Sequence, residues 1–301
     1  MAIELREHIR IDYIRDEMLR AAGIRLGILR LDEIHALVSG NKWFKLKENI
    51  RRAKAAGANT LLSFGGAFSN HLLATAAAAQ AHGLSAIGMV RGLHARDNPS
   101  VTLEECNQLG MQLVYVSREE YRQKDDAGYI ETLQQKYPNA FIIPEGGNNE
   151  AGQQGAGSIA AYLPADASLV TLAMGTGTTF AGIRAVLNNK AAMLGFPVMK
   201  GGSYLQQEVE KHIPVRQDNW TLNDQYHFGG FARYTDALLA FMNTFYQEHH
   251  IPLDFVYTGK MIYGIWDKIR NKEIPAGSHI VAVHTGGLQG NRSVGHLLSY
   301  S

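Results

Sequence analysis

Cysteine is nearly absent: Cys106 is the single one in 301 residues. One thiol excludes an intrachain disulfide and any metal site built on paired cysteines, and it points to a reducing compartment, the cytoplasm. Excess charge is absent too. Twenty-nine Lys and Arg stand against 28 Asp and Glu, a net charge of +1. Such a balance gives no electrostatic pull toward nucleic acid or an anionic membrane. No apolar run reaches the ~18 residues of a membrane span. The stretch MAIELREHIRIDYIRDEML is charged throughout, so no signal-peptide core is expected in it. No repeat or low-complexity linker interrupts the chain. What is plentiful is glycine, 31 residues against a usual ~7%. The length suggests roughly two domains.

Short apolar runs alternate with Ala-rich or charged stretches, the signature of an α/β protein with open, mostly parallel sheets covered by helices on both faces. Strands are expected at Thr60–Phe64, Leu84–Val90, Met111–Val116 and Ala140–Ile143. Helices are expected at Ser69–Ala81, Val101–Leu109 and Tyr121–Tyr137. The pattern restarts with a helix at Ser158–Tyr162, a strand at Leu169–Ala173 and a helix at Phe180–Leu187. Met193–Val198 and Ile280–His284 read as strands, and Ala237–Gln247 as an amphipathic helix. Two sheet systems follow: residues 46–150 as a smaller domain inserted into a larger one made of 1–45 and 151–301, with the active site in the cleft between them.

Three glycine-centred loops sit at strand ends, where open α/β sheets bind ligands. Ser63-Phe64-Gly65-Gly66-Ala67-Phe68-Ser69-Asn70-His71 leads into a helix. It reads either as an ordinary capped turn or as a helix start whose N–H groups hold a substrate carboxylate. Gly175, Thr176, Gly177, Thr178 and Thr179 form a donor-rich turn suited to a phosphate. This turn is neither a dinucleotide fingerprint nor a Walker loop. Phe180 stands where the third glycine belongs, no acid occurs between Ile183 and Gln207, and no Gly-Lys-Ser/Thr follows. The third loop is His284-Thr285-Gly286-Gly287.

Lys42 follows Gly40-Asn41, ahead of the expected helix, where a side chain can point into a cleft. Lys45, Lys47, Arg51, Arg52 and Lys54 read as a solvated helix face. A lysine amine plus a phosphate cup is the minimum kit for pyridoxal 5'-phosphate (PLP). His249 and His250 are adjacent and do not face one ligand sphere, so no metal site is expected. Cys106 reads as a small core residue.

The segments GNKWFKL, FGGAFSNH, the Gly-Thr loop, VYTGK (Val256–Lys260) and HTGG, in that order, resemble the PLP-dependent family of 1-aminocyclopropane-1-carboxylate (ACC) deaminase and D-cysteine desulfhydrase. The family has the tryptophan-synthase-β-like fold, fold type II. The resemblance implies that Lys42 forms the Schiff base and shuttles protons. It gives Asn70 the cofactor's phenolic oxygen, and Ser69, Asn70 and His71 the substrate carboxylate. Gly175 to Thr179 take the phosphate, Tyr257 lies near the ring and the substrate, and Thr285 faces the pyridine nitrogen. Where ACC deaminases resemble Tyr-Glu-Gly-Lys, this chain has Tyr257-Thr258-Gly259-Lys260, as in the desulfhydrase-like branch. Phe68 replaces the family's Gln, and Phe231 a Tyr, implying a more apolar substrate pocket. The implied activity is a lyase or deaminase acting on a small amino acid. It removes the Cα proton and eliminates a β substituent to yield a 2-oxo acid and ammonia, as D-cysteine desulfhydrase does. The alternatives are ACC ring opening to 2-oxobutanoate, or a diverged PLP binder without turnover. A homodimer is implied as well.

Overall fold

The computed structural model describes residues 9–35, 37–187, 190–213 and 219–300. Along the chain the elements run β1 (Ile11–Tyr13), α1 (Glu17–Ala22), β2 (Arg25–Arg30), α2 (Asn41–Ala55), β3 (Thr60–Gly65), α3 (Asn70–Ala81) and β4 (Ser85–Arg91). Next come α4 (Val101–Gln108), β5 (Met111–Val116), α5 (Arg118–Arg122), α6 (Ala127–Lys136), β6 (Ala140–Ile143), α7 (Glu150–Gly157) and β7 (Leu169–Met174). The remainder is α8 (Thr178–Leu187), β8 (Ala192–Pro197), α9 (Leu205–Glu210), β9 (Trp220–Leu222), α10 (Asp236–His249), α11 (Thr258–Arg270) and β10 (His279–His284). Among the described residues no helix is long and apolar enough to cross a membrane.

Contacts divide the chain into two units: His35–Gly155 belong to one, and the stretch ending at Ile34 joins Ala156 onward in the other. Residues 35–45, assigned from sequence to the larger domain, thus fall in the smaller unit. The reason is local. The helix starts at Asn41, ahead of Lys42 rather than after it, and its buried residues Phe44, Leu46, Ile50 and Ala53 belong to this unit.

The smaller unit is a four-stranded parallel sheet in the order β5-β4-β3-β6. Side chains alternate across the pleat. Leu61, Ala86 and Val90 join α2, α3 and α4 in one core, while Leu62, Phe64, Ile87 and Met89 join Tyr121 of α5 and Leu133 of α6 in the other. Nine consecutive residues of α3, His71 to Ala79, are buried, as expected for a helix with small apolar residues all round. Cys106 is fully buried in the first core, as its sequence context implied. The helix expected over Tyr121–Tyr137 is two helices. Asp126 ends the intervening turn and caps α6, accepting the Tyr129 N–H at 3.0 Å.

The larger unit carries a six-stranded sheet, β1-β2-β10-β7-β8-β9, parallel except for β1 against β2. All six residues of β10 are buried. Its core joins the sheet to α1, α10 and α11 through Leu19, Phe196, Met242, Phe245, Ile262 and Ile265. Helix α11 contains Gly259 and Gly264, poor helix formers. They stand where neighbours approach closely: a Cβ on Gly264 would lie 2.4 Å from the Phe196 ring.

Candidate active site

In the smaller unit, the loop after β3 is shaped by the start of α3. Ser69 caps the helix, its hydroxyl accepting the Leu72 N–H at 3.2 Å. Gly65 lets this cap form, since a Cβ there would lie 2.5 Å from the Ser69 hydroxyl. No protein acceptor takes the N–H groups of Asn70 and His71 among the described residues, so they are the open donors of a helix start, a group able to hold an anion. The Asn70 side-chain oxygen is buried with no hydrogen-bond partner. An orphaned amide of this kind is completed by a ligand's polar group, and a half-turn of the amide presents its NH2 instead.

The His71 side chain does not join that site. It is buried, and its Nε2 lies 2.9 Å from the Ser63 hydroxyl, which itself donates to the Ile143 carbonyl at 2.8 Å. Ser63 therefore accepts from His71, which puts the imidazole proton on Nε2 and leaves Nδ1 as a bare acceptor with no partner. Burial, then the charges of Lys42 and Lys45, hold this imidazole well below the usual histidine range. Of His71, only the backbone N–H is left open for the carboxylate role expected there. Phe68 stands 70% exposed.

Lys42 lies in the first turn of α2 and not ahead of the helix, preceded by Gly40 at φ +67°. Its half-buried amine donates to the Asn41 side chain at 2.8 Å. One turn on, Lys45 departs from the expected solvated face. It is 3% exposed and donates to the Gly146 carbonyl at 2.9 Å. Burial and the Lys42 charge push its ammonium well below the usual lysine range. On α2 the solvent side belongs to Lys47, Arg51 and Lys54.

In the larger unit, the turn from β7 into α8 carries the residues expected to form a phosphate cup. Gly177 takes φ +79°, which a side chain rarely tolerates. The hydroxyls of Thr176 and Thr178 lie 2.7 Å apart, and the N–H groups of Thr176 and Gly177 find no protein acceptor among the described residues. A Cβ on Gly175 would lie 3.2 Å from the Tyr257 ring, so the bare backbone and the aromatic face form a cradle. β10 pairs β7 in parallel, with Ala282 opposite Thr171. Thr285, which follows β10, therefore leaves the same sheet edge as the cup.

Tyr257 is held by an arrangement that sequence inspection missed. The Asp254 carboxylate, fully buried, accepts the N–H groups of Val256, Tyr257 and Thr258 and the Thr258 hydroxyl. It caps α11 from two residues ahead of the VYTGK motif, and a capping acid ahead of a helix was the available signal. Lys260 is fully buried, donating to the carbonyls of His227 at 2.8 Å and Gly230 at 2.7 Å. This tie fixes the glycine turn that carries Phe231, whose ring meets Tyr257 edge-on at 6.0 Å. His249, Asp16 and Glu248 bring ligand-type atoms within 4.8 Å of one another, but the Asp16 carboxylate is engaged in capping α1.

The sequence-derived residues divide between the units. Lys42, Phe68, Ser69, Asn70 and His71 belong to one; Gly175, Thr176, Gly177, Thr178, Thr179, Phe231, Tyr257 and Thr285 belong to the other. A donor cup with an aromatic wall in one, and an orphaned amide with free helix-start donors in the other, fit a phosphorylated ring and an amino-acid carboxylate.

Residues 17–286 match the protein family described as pyridoxal-phosphate dependent enzyme. The bifunctional D-cysteine desulfhydrase/1-aminocyclopropane-1-carboxylate deaminase of Arabidopsis thaliana is 29% identical over 296 residues, spanning 89% of this chain and 73% of that protein. The D-cysteine desulfhydrase of Klebsiella pneumoniae is 29% identical over 294 residues, spanning 88% and 87%. A solved structure of an ACC deaminase homologue matches with a TM-score of 0.81 at 26% identity, covering 98% of this chain and 94% of that one. The two mostly parallel sheets with flanking helices are those of fold type II.

Proposed function

The chain belongs to the pyridoxal-phosphate dependent enzymes, and on that premise we propose that it is a lyase of the D-cysteine desulfhydrase type, releasing a 2-oxo acid and ammonia from a small amino acid. PLP, when bound, supplies an aldehyde that takes up an amine and a ring that withdraws electrons from the neighbouring Cα–H bond. The protein's own residues then have distinct tasks. Gly175 to Thr179 anchor the phosphate with backbone and hydroxyl donors. Lys42 would hold the cofactor, and once the substrate amine had displaced it, its freed Nζ would take the Cα proton. The Asn70 and His71 N–H groups hold the substrate carboxylate, with Ser69 fixing the helix start. The Asn70 amide bonds the cofactor's phenolic oxygen. Thr285 offers the pyridine nitrogen a hydroxyl rather than a carboxylate, which suits elimination of a β substituent over transamination. Tyr257 and Phe231 wall the ring side with apolar surface.

The observation that carries this reading is the Gly175–Tyr257 cradle beside the Thr176–Thr178 hydroxyl pair, in a chain that matches the family over 17–286. Thr258 favours the desulfhydrase branch over ACC ring opening, because its hydroxyl is committed to Asp254. A homodimer in the cytoplasm completes the proposal. The test is direct. Purified protein is expected to be yellow, to bleach with borohydride, and to lose the colour in Lys42→Ala. A screen of D- and L-amino acids and ACC for 2-oxo acid release then assigns the substrate. D-Cysteine or a β-substituted D-alanine is the expected hit; 2-oxobutanoate from ACC alone would replace it with the deaminase reading, and colour without any release would mean a binder.

A further inference from the structure

The smaller unit carries a second concave feature that the roles above do not use. A cavity of about 600 Å³ is lined by Arg91, Arg118, Tyr121, Arg122, Lys124 and Glu145. Its charged residues come from the carboxyl ends of three strands: Arg91 ends β4, Arg118 stands two residues past β5, and Glu145 two residues past β6. That is the edge where open parallel sheets bind ligands.

Four cations face one carboxylate. Glu145 lies 3.8 Å from Lys124, which also pairs with Asp125. Arg91, Arg118 and Arg122 meet no carboxylate in an ion pair among the described residues, although Lys124 beside them does. Arg118 and Arg122 stand one turn apart on α5, a like-charge spacing that works against the helix. The Arg91 guanidinium lies over the Tyr121 ring, 5.6 Å from its centre.

Tyr121 supplies the independent sign of a ligand. Its side chain is 4% exposed, and its hydroxyl is buried with no hydrogen-bond partner. Burial and the nearby Glu145 keep this phenol protonated, so it is a donor whose neighbouring carboxylate stands outside hydrogen-bond geometry. A buried donor left open costs free energy, and a cluster of unpaired guanidinium groups adds repulsion. One bound oxyanion relieves both.

We propose that this cavity binds a small multivalent oxyanion, a phosphate ester or polycarboxylate, gripped by Arg118 and Arg122 and bonded by Tyr121. The fork of each guanidinium matches such oxygens two at a time. Arg91 also reaches to within 3.5 Å of where a Cβ on Gly66 would stand, beside the loop assigned to the substrate carboxylate. The anion is therefore either a second acidic group on the substrate or a separate effector.

The experiment is a calorimetric titration of the PLP-loaded protein with inorganic pyrophosphate, so that the Gly175–Thr179 cup is already filled. Saturable binding that weakens with salt is expected. The Arg118→Ala/Arg122→Ala double variant is expected to weaken it at least about tenfold, Tyr121→Phe severalfold, and Lys136→Ala not at all. Thermal melts check that the variants fold. Absence of saturable heat, or equal affinity in the double variant, overturns the proposal. The titration needs no turnover, so it is independent of the lyase reading. A protein that took up no PLP would still be tested by the double variant, which leaves the cup intact. Pyrophosphate competing against amino acids that bear a second acidic group marks the substrate source. An effect on turnover of neutral amino acids marks an effector.

Discussion

Thr258 donates its hydroxyl to the Asp254 carboxylate at 2.7 Å, while the backbone N–H of Asp254 returns to the Thr258 oxygen at 2.8 Å. With three further N–H groups converging on the same carboxylate, this knot sets where Tyr257 stands. Removing the acceptor orphans all of them inside the core. Asp254→Ala is expected to cost about 3 kcal/mol or more in urea unfolding and to weaken PLP binding. Thr258→Glu, which would install the Tyr-Glu-Gly-Lys pattern, places two carboxylates together in a dry site. It is expected to destabilise the protein rather than to confer ACC turnover, and a well-folded Thr258→Glu protein that opens ACC would refute this.

Gly175 is bare because Tyr257 occupies its side-chain space. In Gly175→Ala the new methyl presses the ring at 3.2 Å. The expected result is PLP affinity reduced roughly tenfold, about 1.4 kcal/mol, with the melting temperature of the apo-protein little changed. Fluorescence titration with PLP separates the two quantities.

His71 makes stability depend on acid. Its folded pKa is held well below the unfolded value of 6.5, so below 6.5 the unfolded chain binds a proton that the native state refuses. The native state is therefore fully favoured above 6.5 and loses ground as pH falls, by up to ~1.4 kcal/mol per pH unit. Urea midpoints measured from pH 7 to 5 are expected to drop more steeply in the parent protein than in His71→Gln.

Lys260 acts at the alkaline end. Burial pushes its ammonium from 10.5 to about 8. The unfolded chain then holds the extra proton between those values, and the native state gains as pH rises through that window. The penalty is full below about 8 and gone above 10.5, a change of roughly 3 kcal/mol. The difference in stability between the parent and Lys260→Met is expected to shift in the parent's favour across this range. A constant difference would show that the carbonyls of Val198, His227 and Gly230 around the ammonium keep it charged.

Strands with unbroken apolar runs were legible from residue order alone. Met111–Val116 and Ala140–Ile143 have the expected bounds even though they are the half-buried edges of their sheet, because their β-branched and aromatic residues suit a pleated, half-buried surface. The loops were legible too, since Gly65 and Gly177 mark turns by their chemistry. Helix α11 was not, because its two glycines lower its propensity and its reason to form is the Asp254 cap and the close packing on Phe196. Residue order also placed Lys42, Asn70 and the Gly175–Thr179 turn among the candidates. It did not separate Lys45 from its basic neighbours, nor turn the His71 ring toward Ser63. Those outcomes depend on which face of a helix meets the sheet, and burial and hydrogen-bond partners are properties of the folded chain. Local chemistry travels with the residue, whereas the cost of burying a charge is decided only by what surrounds it.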